Sequence, residues 1–494
     1  MRSRLLLADA DVDVEALPDL DPALTTDLGL DRVLAAMARG DHVIERVVPR
    51  LLATPLASTD AIRYRQASVR DAVTAPAVVR ELYAVATDAI EAERRIWGSA
   101  MRNAELVLDR AANVLGRFVE AFRELRRIEA EDGKAFTSPG FTAFFRMIAT
   151  DLEDPWLAEV EDHLTRLRTR TLHVSARLGD GARGTDYVLH RSPSTIRGWR
   201  DRVGLEERRS TVKVELSDQN AMNTMSELRA TAIAPTAGVT REAADHVLAF
   251  FRQLQVELAF LIGCANLHET LTAAGGAVAY PDPTEEGATG TFRATGLYDP
   301  GLRLAIDGPV VPNDLDTGDQ RLVVITGANG GGKSTVLRAV GLAQLLLGAG
   351  MFVAAEWLTA SVAPAIRTHF TREEDASLSG GRLDEELTRL AALVDATTPG
   401  TLVLLNESLS TTNEREGAAI ARGVVDALVD AGVEVWFVTH NHHLGSGLAD
   451  VEPPRAHFLR AERGDGERPF RLVVAPPLPT SHGMDLYRRI IDGG

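Results

Sequence analysis

Leu322-Val-Val-Ile-Thr326, followed by Gly327-Ala328-Asn329-Gly330-Gly331-Gly332-Lys333-Ser334-Thr335, is the stretch on which the fold turns. Its first five residues read as an apolar strand. From Gly327 the spacing is G-x-x-x-x-G-K-S, the Walker A pattern, and TVLRAVGLAQLLLGAG, which overlaps its end, is free of Pro and reads as a helix. Glycines let backbone amides point inward around a β-phosphate with no Cβ in the way. The helix N-terminus adds a positive partial charge. Residues 327–335 are therefore the candidate contacts for a nucleotide, with ATP expected. Lys333 is expected to reach the β- and γ-phosphates, and the Ser334 hydroxyl to ligate Mg²⁺.

Three further elements follow in order. Thr401-Leu-Val-Leu-Leu-Asn406-Glu407 is an apolar strand ending where Walker B carries two acids. Glu407 is the candidate general base. Asn406 stands where the first acid would support Mg²⁺, indirectly. An amide there removes one unit of attraction, worth about 4 kcal/mol at about 4 Å and an effective dielectric near 20, before solvation offsets part of it. The expectation is weaker Mg²⁺ binding or slower turnover at a site that still works. Between the two Walker elements lies Ser377-Leu-Ser379-Gly-Gly381-Arg382 ahead of the helical LDEELTRLAALV. This loop resembles the signature loop of ABC-type ATPases, which implies that Ser379 and the helix N-terminus meet the γ-phosphate held by a second subunit. Last comes Val438-Thr439-His440 after the apolar VEVWFV, where His440 resembles the ABC switch histidine, a γ-phosphate sensor. His442 and His443 have no matching metal-ligand set and read as surface residues.

Outward from this core, the chain of 494 residues has the composition of a soluble globular protein, 45% hydrophobic and 25% charged. Aromatics at 5% leave the core to Leu, Val and Ala, which favours helices. The front, 28–170, reads as helical: Asp27 is the predicted N-cap of a helix with Leu30, Val33, Leu34 and Met37 in rhythm. Pro49, Pro55 and Pro76 mark connections. Residues 78–129 suit one long helix. At 171–233 TLHVSARL and TDYVLH alternate like strands of a hairpin around GDGARG. Helical rhythm returns over 241–273. GGAVAYPDPTEEGATG then reads as a linker, and FRATGLY and LRLAID as β-type runs.

The net charge of −17 argues against a general nucleic-acid coat. Residues 166–213 nevertheless hold twelve Lys/Arg against five Asp/Glu. This island is either a phosphate-contacting surface, with Arg197, Arg200 and Arg202 as candidate DNA contacts, or a solvated arginine-rich face. The apolar run of MRSRLLLADADVDVE is too short for a signal peptide. No stretch of about 18 uncharged apolar residues suggests a membrane span. Cys264, the one cysteine, reads as a small buried hydrophobe. A cytoplasmic protein is expected, nucleoid-associated in a bacterium.

Thr326-Gly-Ala-Asn329-Gly-Gly-Gly-Lys-Ser-Thr335 resembles the P-loop of the MutS family. So do Val311-Pro-Asn-Asp314 ahead of the first core strand, Asn413-Glu-Arg-Glu-Gly417 at the D-loop position and Ser481-His-Gly483 near the end. TPLASTDAIRYRQ at 54–66 is similar to the lever region that precedes that ATPase. The likeness is specific over about 300–485 and looser over 25–275. It implies an α-helical lever domain at 1–275 with a small β-containing clamp insertion at about 171–235, then an α/β P-loop ATPase domain at 276–494. It also implies a homodimer with two composite ATP sites, long lever helices and a clamp around duplex DNA, switched by ATP, in repair or recombination.

Three departures qualify the likeness. The sequence leaves no room before the lever for the family's mismatch-reading domains, and Phe118-Val-Glu120 matches their Phe-x-Glu wedge only in letters, inside a predicted helix. Asn406 replaces an aspartate. SLSTT at 408–412 lacks the usual glycines. Distorted or branched DNA, or a partner that reads it, is thus expected over direct mismatch recognition, and no endonuclease-like domain is expected after the ATPase. Two other readings compete: an ABC-class ATPase of a non-repair machine, and an ATP-binding scaffold that barely hydrolyses.

Overall fold

The computed structural model describes residues 1–97, 104–168, 173–178, 184–190, 219–284, 291–371, 382–410, 412–451, 455–462 and 469–478. The front is helical: α1 (Pro22–Leu28), α2 (Leu30–Ala38), α3 (His42–Leu52), α4 (Thr59–Thr74), α5 (Pro76–Trp97), α6 (Ala104–Asp132), α7 (Pro139–Asp151) and α8 (Asp154–Arg168). The hairpin β1 (His173–Leu178) and β2 (Gly184–His190) follows, then α9 (Gln219–Ala273). The remainder is α/β. It runs β3 (Asp282–Thr284), β4 (Phe292–Leu297), α10 (Pro300–Arg303), β5 (Asn313–Asp316), β6 (Leu322–Thr326), α11 (Lys333–Gly348), β7 (Trp357–Ser361) and β8 (Ile366–Phe370). It closes with α12 (Arg382–Asp395), β9 (Leu402–Asn406), α13 (Glu414–Asp430), β10 (Glu434–Val438), α14 (His442–Ala449), β11 (Ala456–Ala461) and β12 (Leu472–Val474).

Two compact units emerge: residues 1–2, 81–133 and 145–255, and residues 3–80, 134–144 and 256–494. In the first, α6 buries Leu108, Ala111, Phe118, Phe122 and Leu125, the i, i+3/i+4 stripe of an amphipathic helix. Phe118 and Phe122 each lie 5.3 Å from Phe251 of α9, ring centre to ring centre. Arg123 holds Glu161 of α8 through two hydrogen bonds, 3.0 and 2.7 Å. The β1–β2 hairpin is antiparallel, as the alternation predicts.

In the second unit a six-stranded sheet has the order β12-β11-β6-β10-β9-β8, parallel except for β12. Its central strands are covered on both faces, which is why they read as unbroken apolar runs. Leu322 and Val324 of β6, Val403 and Leu405 of β9, and Val435 and Phe437 of β10 pack with Leu390, Val425 and Leu444 of α12, α13 and α14. On the other face Trp436 meets Phe292 of the second sheet edge-on, 5.4 Å between ring centres. That second sheet has the order β3-β7-β4-β5. Here too lies α11, brought close by Gly341: a Cβ there would stand 2.6 Å from Leu404 Cδ1 and 2.7 Å from Leu28 Cδ2.

The chain's beginning also grips the far end of α11. Leu56 N donates to Gly348 O (2.8 Å), and buried Arg65 donates from Nη1 to Ala349 O (3.2 Å). Burial lowers the Arg65 guanidinium to about 10, so it stays charged at neutral pH, over the ring of Phe260 at 5.4 Å. This cover explains why the compact units do not divide at residue 275: α11 is apolar nearly all round and takes residues 3–80 as its second wall.

Several local expectations change. Asp27 is not the N-cap residue of α2: it is buried inside α1, whose N-cap is Asp21, and α2 begins from left-handed Gly29. Pro49 sits within α3, near its C-terminal end. Of the long helix expected over 78–129, α5 as far as Trp97 and α6 from Ala104 are helical; residues 98–103 lie outside the described residues. Helix α9 begins well before 241 and tolerates Pro235. LRLAID forms no strand, because Asp299 caps a helical turn by accepting from Leu302 N. Part of the supposed linker is structured: Ala279 bridges Val353, and β3 pairs with β7. Residues 233–273 of α9 include an 18-residue window apolar enough to cross a membrane by composition, but 72% of that window is buried, as in a core helix. Cys264 is buried, and burial raises its thiol pKa.

Candidate nucleotide-binding site

Strand β10 lies between β6 and β9, all three parallel, so their C-terminal ends open on one edge. The Walker A loop leaves β6 there. Gly327 has φ +116° and Gly332 φ +88°, a backbone that side chains resist. The loop is also hemmed in: a Cβ on Gly327 would stand 2.9 Å from Ala461 Cβ, and one on Gly332 3.2 Å from Phe470 O. Phe470 is held in turn by Asn313, whose Nδ2 donates to Phe470 O (3.2 Å) and whose Oδ1 accepts from Leu472 N (2.7 Å). Asn313 of the Val311–Asp314 stretch therefore braces the hairpin against which the loop rests.

Lys333 opens α11 and is buried. Its Nζ donates to Gly327 O (2.9 Å) and Ala328 O (3.0 Å). Burial lowers its pKa and the Glu407 carboxylate acts in the opposite sense. Ser334 Oγ donates to Asn406 Oδ1 at 3.0 Å, joining the Walker A helix to the end of β9. Glu407, the next residue, has φ +56°; its N–H donates to Val438 O (2.8 Å) and its Oε1 lies 3.2 Å from His440 Nδ1. That hydrogen bond holds the Glu407 carboxylate below the usual range against a desolvation that acts the other way, and raises the His440 pKa. The two shifts agree on a carboxylate–imidazolium pair at the sheet edge.

Lys333, Ser334, Asn406, Glu407 and His440 thus converge, while Asn329 and Gly330 lie exposed on the loop and Gly331 and Thr335 are half-buried. Ser379 and the rest of its loop lie outside the described residues, as do Arg197, Arg200, Arg202 and Ser481–Gly483; α12 does begin at Arg382. His443 is exposed, whereas His442, whose N–H donates to Glu414 Oε1 (3.2 Å), is half-buried.

Sequence reasoning missed a ring of residues around Glu407. Thr371 Oγ1, just past β8, donates to Glu407 O (2.8 Å) and Asn406 O (3.2 Å). His369 Nδ1 lies 2.7 Å from Ser408 Oγ, which donates to His369 O at 2.9 Å. Leu409 N donates to Glu386 Oε1 on α12 at 2.6 Å. None belongs to a spacing pattern; the only hint was a polar His and Thr bracketing Phe370 at the end of an otherwise ordinary strand.

The donor set fits a Mg²⁺–nucleotide. A hydroxyl and an amide oxygen meet beside a carboxylate, all hard oxygen ligands, and Mg²⁺ keeps several waters and asks few protein ligands.

The family model for the MutS2 N-terminal domain matches residues 57–274, and that for MutS domain V matches residues 323–482. Among curated relatives, the "DNA mismatch repair protein MutS 2" of Haloarcula marismortui is 34% identical over 191 residues, 38% of this chain and 20% of that protein. Its namesake in Halobacterium salinarum is 37% identical over 184 residues, 36% of this chain and 21% of that protein. The "Endonuclease MutS2" of Thermomicrobium roseum is 32% identical over 185 residues, 36% of this chain and 23% of that protein. The chain spans only about a fifth of the length of these relatives.

Proposed function

This chain belongs to the MutS family, and from that premise we propose that it binds and hydrolyses ATP at sites completed by a second copy, using ATP to switch its grip on DNA in repair or recombination. One observation carries the reading: Lys333 and Ser334 at the start of α11, Asn406 at the end of β9, and Glu407 and His440 just beyond β9 and β10 meet at the C-terminal edge of the sheet.

Triphosphate binding exchanges the Lys333 bonds to Gly327 O and Ala328 O for bonds to the β- and γ-phosphates. Ser334 Oγ and Asn406 Oδ1 are the oxygens that would hold Mg²⁺. Mg²⁺, when bound, neutralises charge on the phosphates. Glu407 is ionised at neutral pH and accepts the proton of the attacking water. His440 orients that carboxylate and senses the γ-phosphate. Ser379 of the second copy closes the site over the phosphate. In this reading 1–275 is the lever, about 171–235 a clamp insertion bearing Arg197, Arg200 and Arg202, and 276–494 the ATPase domain of a cytoplasmic homodimer.

The test is ATP turnover with and without duplex, mismatched and branched DNA. A rate raised by DNA supports the reading; turnover indifferent to every DNA favours an ABC-class ATPase of another machine. Asn406 favours one further reading, an ATP-binding scaffold. It is distinguished by Glu407→Gln, which traps an ATP-bound dimer if Glu407 is the base and changes nothing if the chain only binds.

A further inference from the structure

We propose that Glu386, on the helix that follows the signature loop, is a positioning residue for Glu407: by capturing the Leu409 amide it holds the turn that presents the general base. The inference rests on the ATPase reading and deepens it. The turn is strained. Glu407 and Leu409 have φ +56° and +63°, so two non-glycine residues within three positions occupy the left-handed region. L-residues resist that conformation and hold it only where surroundings over-determine it.

The surroundings do so from three sides. Thr371 Oγ1 holds the carbonyls of Asn406 and Glu407. His369 and Ser408, both buried, hold each other. The Leu409 backbone is bonded on one side and closely packed on the other: its N–H meets Glu386 Oε1 at 2.6 Å, and its carbonyl lies so near Gly417 that a Cβ there would stand 2.6 Å away. Of these anchors only Glu386 brings a carboxylate to a backbone N–H, the stronger kind of hydrogen bond. It is 3% exposed, so water does not replace it.

The consequence is mechanical. Glu386 stands seven residues beyond Ser379, on the first turns of α12. Any movement of α12 that follows engagement of its N-terminal loop is delivered to Leu409, and through Ser408 to Glu407. The helix that would serve the second copy's nucleotide thereby sets the base for this copy's own.

The test compares the parent with Glu386→Gln, which keeps an acceptor oxygen, and Glu386→Ala, which does not. Glu386→Ala is expected to lower kcat by on the order of tenfold to a hundredfold. ATP affinity, read by a fluorescent ATP analogue, stays within about twofold, and Glu386→Gln retains most of the parent rate. Should Glu386→Ala fail to fold, Glu386→Asp, one methylene short of the amide, is expected to show the same kcat loss. A parental kcat in Glu386→Ala or Glu386→Asp overturns the proposal. So does a loss shared equally by ATP affinity. A parent without turnover refutes the ATPase reading itself, a result distinct from a turning-over parent indifferent to residue 386.

Discussion

Asn406→Asp should sharpen the site's hold on Mg²⁺. Asn406 Oδ1 accepts from Ser334 Oγ at 3.0 Å. An aspartate keeps that acceptor and the side chain's shape and exchanges only the amide nitrogen for an oxygen bearing charge. At about 4 Å through an intervening water, and an effective dielectric near 20, the added attraction of one negative charge for the divalent ion is about 8 kcal/mol, roughly six orders of magnitude before costs. Two costs cut into it. The new carboxylate is half-buried, and it stands next in sequence to Glu407, which is already ionised. A net gain of about 1.4 kcal/mol, tenfold in affinity, is the expected remainder. The assay is ATP turnover at saturating ATP while Mg²⁺ is titrated: the midpoint should fall by about tenfold. In chelator the same variant should melt below the parent, because two adjacent carboxylates repel, and Mg²⁺ should return the difference. A Mg²⁺ midpoint within twofold of the parent's would refute the assignment of residue 406 to the ion.

Lys333→Ala removes the two phosphate contacts assigned to that ammonium; ATP binding by calorimetry should weaken by roughly a hundredfold or more, and parental affinity would dismantle the nucleotide site. Charge reversal at Arg197, Arg200 and Arg202 should lower duplex affinity and flatten its dependence on salt; unaltered binding would leave the basic island a solvated face. The Glu407–His440 pair fixes a pH window. His440, with a raised pKa, stabilises the fold fully below its unfolded value of 6.5 and loses that contribution as pH climbs through the folded value. Glu407, with a depressed pKa, contributes above its unfolded value of 4.5 and loses it as pH falls through the folded one. The melting-temperature gap between the parent and His440→Gln should therefore be widest between pH 4.5 and 6.5 and narrow on either side; a gap constant with pH would exclude the pair.

The nucleotide core was legible because its strands are buried on both faces, which writes a continuous apolar run into 322–326, 402–406 and 434–438 and leaves the polar residue at each end conspicuous. Asn406, Glu407 and His440 could be found for that reason. What surrounds them could not. Thr371, His369 and Glu386 reach Glu407 and its neighbours from 20 to 40 residues away, and nothing local to Thr371 or Glu386 marks them. Pro49 inside α3 and buried Asp27 inside α1 escaped because local propensity is overridden by packing; the apolar faces of both helices were readable, their ends were not. LRLAID reads as β-type by composition, yet one capping aspartate, Asp299, turned its beginning into helix. The largest omission was the wall that residues 3–80 form against α11, a contact between segments some 300 residues apart that no window of sequence displays.

That wall turns α11 into something like a connecting rod. Its sixteen residues make a shaft of about 24 Å. Lys333 sits at one end, and the carbonyls of Gly348 and Ala349 at the other are pinned by Leu56 and Arg65. A shaft packed this tightly along its length has no slack in which to absorb a push, since close-packed interiors compress very little. What the lysine end gains or loses in position is felt two dozen ångströms away, at the first helices of the chain.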